Sequence, residues 1–123
     1  MVAINDTSGN GFGTRGSTIP QDWTGGTGVF PAGGVITVPA PAAGSRRSWM
    51  MVQNQGAAQI TVSYQAVTAL GNNSVVNMVL ATGGVAGSQG GADERGLGSW
   101  RPNGTVVITG AVGAQVLVLE VTE

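Results

Sequence analysis

Consecutive ionisable side chains occur at two places in this 123-residue chain, Asp93-Glu94-Arg95 and Arg46-Arg47. Two adjacent acids could form half of a cation site or a carboxylate pair for acid–base work. A bound Ca²⁺ takes about six to eight oxygens, and the Gly-rich stretch around Asp93 and Glu94 offers only some of them. Arg95 supplies a neutralising charge at the same spot. The expected use of Asp93, Glu94 and Arg95 is therefore an Arg–carboxylate contact across a subunit boundary. Two neighbouring arginines can grip phosphate or carboxylate in bidentate fashion. The chain is not otherwise basic, so Arg46 and Arg47 are expected to pair with Glu120 or Glu123 near the chain end, or to cap a subunit edge.

Other motifs carry less. Gly11-Phe12-Gly13-Thr14-Arg15-Gly16 spells GxGxxG. Dinucleotide binding needs a strand before that motif, a helix after it and an acid about twenty residues on. Residues 1–10 are polar, Pro20 and several glycines follow, and the next acids are Asp22 and then Asp93. Chance explains the match in so glycine-rich a chain. Glycosylation-type triplets at Asn5, Asn72 and Asn103 read as turn chemistry.

Several chemistries lack their residues. The chain has no His, Cys or Lys, and all five cations are arginine. Nucleophilic triads, thiolate metal sites and disulfides are thereby left without their usual groups. The expectation is a protein that is not an enzyme and holds no cofactor or metal. A net charge of −1 lacks the basic footprint of a nucleic-acid binder. No apolar run is long enough for a membrane helix, and the first residues do not read as a signal peptide. Only 9% of residues are charged, against roughly 25% in ordinary soluble domains. Such a surface gives a monomer poor colloidal stability, so neighbouring subunits are expected to cover much of it.

The elements that must position these residues are strands. Gly, present 22 times, interrupts every window long enough for a helix, and β-branched residues dominate the apolar segments. The fold class is all-β: an antiparallel β-sandwich or jelly-roll-like domain over residues 35–123, preceded by an extended Gly-rich arm over residues 1–34. Such an arm cannot offset its own ordering entropy, roughly 1–2 kcal/mol per residue. Its apolar points Ile19, Trp23, Val29 and Phe30 are read as anchors in a partner surface, the alternative being that they fold back on their own domain. Residues 46–54 and 57–65 are expected to form a hairpin turning at Gln55-Gly56. Residues 74–81 make a further strand with Val76, Met78 and Leu80 on one face. Residues 82–98 read as a long loop. Residues 105–109 and 115–121 read as a closing hairpin. Trp49 to Val52 and Val116 to Val121 are apolar on both faces, as in strands at the centre of a sheet or in a subunit contact.

Residues 45–65, SRRSWMMVQNQGAAQITVSYQ, resemble a hairpin frequent in small virion proteins of tailed bacteriophages. Residues 100–123 look like the terminal strands of such proteins. The resemblance implies a non-enzymatic β-sandwich on the head or tail of a phage particle. The leading expectation is a capsid decoration (cement) protein, a homo-oligomer with a trimer favoured. It would assemble in the host cytoplasm onto the virion surface, with its arm spread over the major capsid protein. The alternative is a tail or head-fibre module that binds a receptor or carbohydrate through Trp100, Tyr64 and the segment from Asp93 to Arg95. A weaker third reading is a hydrolase acting through Asp93 or Glu94, against which the missing His counts.

Overall fold

The computed structural model describes residues 24–67, 73–96 and 102–123. Eight strands follow one another: β1 Thr24–Val29, β2 Val35–Val38, β3 Arg47–Asn54, β4 Ile60–Val67, β5 Asn73–Leu80, β6 Ala92–Arg95, β7 Val106–Thr109 and β8 Gln115–Thr122. They form two four-stranded antiparallel sheets, ordered β1-β8-β3-β6 and β2-β7-β4-β5. The fold is thus the all-β sandwich that composition implies. Pairing is nested. β4 meets β5, β3 meets β6, β2 meets β7 and β1 meets β8. The chain is one long hairpin, rolled so that its ribbons alternate between the sheets, which is the strand order of a jelly roll.

Two expected hairpins are corrected. β3 and β4 lie in opposite sheets, as do β7 and β8. Asn54 explains the first case. Its buried Nδ2 donates to the carbonyls of Ala58 (2.8 Å) and Leu80 (3.1 Å), and its Oδ1 accepts the Gly56 amide at 2.9 Å. One side chain thereby satisfies the backbone of an arch that carries the chain across the core. At the β7–β8 arch, Phe30 holds the turn from outside, through Phe30 N to Ala114 O (3.0 Å) and Gly113 N to Phe30 O (2.8 Å).

Two further expectations shift. The arm does not reach residue 34, because β1 is a full member of its sheet, paired with β8 from Thr24↔Glu120 to Val29↔Gln115. The expected loop at residues 82–98 contains β6, whose register pairs Met50↔Arg95 to Gln53↔Ala92. The central places of β3 and β8 account for their apolar character on both faces. The core comprises Phe30, Met50, Val52, Ile60, Val62, Tyr64, Val106, Ile108 and Val116, with Val76 and Met78 packed against it.

β1 contains glycines of opposite kinds. Gly25 sits at φ +111°, and a Cβ there would come within 2.0 Å of the Val118 carbonyl oxygen. A Cβ on Gly28 would meet nothing within 4 Å. Gly25→Ala should therefore strain β1 and push it off β8, at a cost of at least about 2 kcal/mol. Gly28→Ala should stay within about 0.5 kcal/mol of the parent, since it also reduces the freedom of the unfolded chain. Urea unfolding midpoints of the two variants test this contrast.

Candidate functional site

Arg47 opens β3 at a register shift between Arg47 and Trp49, and its side chain is fully buried. Its Nε donates to Glu120 Oε1 at 2.9 Å, its Nη2 to Pro39 O at 2.9 Å, and its Nη1 to Gly104 O at 3.0 Å. Nη1 also donates to Pro102 O. The Arg47 amide donates to Asn103 Oδ1 at 2.6 Å. One guanidinium thus ties β8 to two separate loops. Its fork is occupied by carbonyls and a carboxylate, so it is not presented to a phosphate. Arg46 lies outside, 3.8 Å from Glu123. The expected pairing of Arg46 and Arg47 with Glu120 and Glu123 is what the geometry holds, within one chain.

A second cluster joins the two sheets on the β5–β6 side. Tyr64, on β4, is fully buried, and its hydroxyl donates to Asp93 Oδ2 on β6 at 2.5 Å. Arg95 grips the same carboxylate with two bonds, Nε to Oδ2 at 2.9 Å and Nη2 to Oδ1 at 3.0 Å. Its guanidinium also stands 5.9 Å from the centre of the Tyr64 ring, within cation–π reach. Burial pushes the Tyr64 hydroxyl well above its ordinary titration range, and the hydrogen bond to Asp93 adds to the shift. Asp93 in turn makes Arg95 hold its proton more tightly. The three side chains satisfy one another across the sandwich. Asp93 and Arg95 therefore meet inside this chain, where a subunit boundary was expected.

Glu94 points the other way. Its carboxylate accepts Trp49 Nε1 at 2.6 Å on the outer face of the sheet. Phe30, read as an intersubunit anchor, is 1% exposed and belongs to its own domain's core; the alternative that it folds back is the one realised. Val29 is 57% exposed. Ile19, Trp23, Trp100 and the GxGxxG segment lie outside the described residues. Tyr64 is too buried to stack on a sugar, and Asp93 is already engaged. Among the described residues no three His, Cys, Asp or Glu side chains come together as metal ligands.

The polar clusters are thus fastenings, and the candidate site is the surface they leave. On the outer face of the β1-β8-β3-β6 sheet, register places Thr27, Leu117, Gln53 and Ala92 in one row and Gly25, Leu119, Met51 and Glu94 in the next. On the other sheet, Val35, Thr109, Thr61 and Val79 form one row and Thr37, Val107, Ser63 and Asn77 the next. Glu94 is the only charged residue in these rows. Sequence reading missed this surface because it shows only once the strand partners are known. Its one visible signal was the shortage of charge. Neither family models nor curated proteins nor solved structures yield a match to this chain.

Proposed function

We propose that this chain is a structural virion protein, a capsid decoration (cement) protein of a tailed phage. Its β-domain would sit on the head as a homo-oligomer while its N-terminal arm spreads over the major capsid protein. The observation that carries this reading is the shortage of charge in the outer rows of the two sheets, where Glu94 is the one charged residue. Val, Thr, Leu, Met, Asn and Gln there suit burial against protein better than exposure as a free monomer. Among the described residues Arg46, Arg47 and Arg95 are all engaged within the chain, which favours apolar and hydrogen-bonding contact as the means of recognition on the β-domain. The jelly-roll order, which capsid and lectin domains share, is compatible with the reading but does not fix it. Ile19 and Trp23 remain the proposed arm anchors, and Val29, exposed at the far end of β1, is a further proposed contact. Contacts made only on the assembled shell stabilise it by mass action, and repetition around the shell adds avidity.

The test mixes the purified full chain with empty heads of the phage that carries its gene. Saturable binding in sedimentation and a higher melting temperature of the heads are expected. Trp23→Ala should weaken binding at least tenfold if Trp23 is a dominant anchor. Heads that take up no protein, or take up the Trp23→Ala variant equally well, overturn the proposal.

A further inference from the structure

Every open sheet has two edges, and natural proteins blunt them with short strands, charges, proline or distorted backbone. Three of the four edges here are blunted. β2 is four residues long. β6 is four residues long and carries Asp93, Glu94 and Arg95. β1 contains three glycines, of which Gly25 and Gly26 have φ of 111° and 151°. β5 has none of these protections. It runs eight residues, NSVVNMVL, without a charge, a glycine or a proline. Among the described residues it pairs with β4 alone, and its outward valines Val75 and Val79 are 59% and 60% exposed.

We propose that β5 pairs antiparallel with β5 of a second copy about a two-fold axis at Asn77, joining the two sheets into one of eight strands. The sequence around Asn77 selects this occupant. Residues 75–79 read Val-Val-Asn-Met-Val, an apolar pattern nearly symmetric about its centre. A two-fold contact requires such self-complementarity, because each residue meets the partner at its mirror position. Val75 then lies beside Val79 of the second copy on the outward face, Val76 beside Met78 on the inward face, and Asn77 beside its own equivalent. No like charges oppose each other anywhere along the strand. The Asn77 side chain is already held in place by Ser63, whose Oγ donates to Asn77 Oδ1 at 2.6 Å. The contact is two-fold, where the resemblance to virion proteins favours a trimer. It rests on the edge alone and is independent of the phage reading. A dimer that ignores phage heads would sink that reading and leave this contact standing, and a monomer that decorates heads would do the reverse.

Sedimentation equilibrium of the full chain should show a reversible dimer. Val75→Lys/Val79→Lys places lysines opposite one another across the axis, and should give a monomer with an unchanged far-ultraviolet spectrum. The chain has no cysteine, so single thiols report register cleanly. Asn77→Cys should become a covalent dimer on mild oxidation or with the shortest thiol crosslinkers, since directly opposed Cβ atoms lie about 4.5–5.5 Å apart. Val75→Cys should not, because its equivalent lies about four strand residues away, roughly 13 Å. A chain that stays monomeric at high concentration overturns the proposal. So does a dimer that survives both lysines, or crosslinking at position 75 as ready as at position 77. If the lysine variant does not fold, the comparison of the two cysteine variants still decides.

Discussion

Arg47→Met will lower the stability of the β-domain by about 3–5 kcal/mol, the range for removing one partner of a buried ion pair. The methionine fills much of the space but donates nothing. Pro39, Pro102 and Gly104 would lose the donor their carbonyls now share, and Glu120 would lose its Nε contact. Each buried acceptor left unmade costs about 1–3 kcal/mol on its own. The loops that meet at Arg47 join β2 to β3 and lead into β7, so the loss reaches both sheets. Arg47→Lys should fall between, because a compact ammonium cannot reproduce a planar fork that reaches four oxygens. Adding Glu120→Gln to Arg47→Met should recover only a small part, since the carbonyls stay unsatisfied. Urea midpoints give the order wild type, Lys, Met. A methionine variant within 1 kcal/mol of wild type would show that Arg47 does not tie the loops together.

Asp93→Ala will be the second most damaging change, at about 2–4 kcal/mol. It removes the carboxylate that accepts from the fully buried Tyr64 hydroxyl and from Arg95, and deleting one partner of a buried polar contact costs more than the bond's net worth. Tyr64→Phe removes the donor as well as the bond and should cost about 1 kcal/mol. The double variant should cost clearly less than the two single losses together, because the residues share one network. The same cluster sets a pH response. Burial, and then the bond to Asp93, hold the proton on Tyr64 more firmly in the folded chain than in the unfolded one. The stability this contributes is fully present below the ordinary tyrosine value of about 10. Above it the unfolded chain releases the proton first, so stability falls as pH rises. Tyr64 is the only tyrosine, and there is no lysine, so little else titrates in that window. Unfolding midpoints between pH 9 and 11 should drop more steeply for wild type than for Tyr64→Phe. Parallel curves would remove Tyr64 from the account.

Much of the strand pattern was legible in the sequence. Val76, Met78 and Leu80 alternate with Val75, Asn77 and Val79, and that period of two places β5 and its buried face. Trp49 to Val52 and Val116 to Val121 disclosed two central strands. Opposite charges at Arg46-Arg47 and at Glu120 and Glu123 disclosed which strand ends meet. Strand partners were not legible, because a period of two states which face is buried and is silent on the neighbour. Residues 55–59 and 110–114 have the length of hairpin loops, and what turns them into arches is the side chain of Asn54 and the distant Phe30. β1 was hidden because Thr-Gly-Gly-Thr-Gly-Val has almost no apolar signal. β6 was hidden because Ala-Asp-Glu-Arg reads as solvent-exposed, while the partner that draws Asp93 inward, Tyr64, lies 29 residues earlier. The same blindness hid the candidate surface, whose rows draw residues from four strands at once.

Nested ribbons impose a schedule on the newly made chain. The β4–β5 ribbon closes over the shortest stretch and can form early, whereas β1 and β8 bring residue 24 to residue 120 and close last. Lengthening a loop adds little free energy, about 0.6 kcal/mol per doubling, so the outermost closure is affordable at equilibrium yet slow in time. Through that delay the first ribbon stands with its uncharged border open. Whether two growing chains meet there before either has finished rolling up is then a question of concentration and of the rate of synthesis.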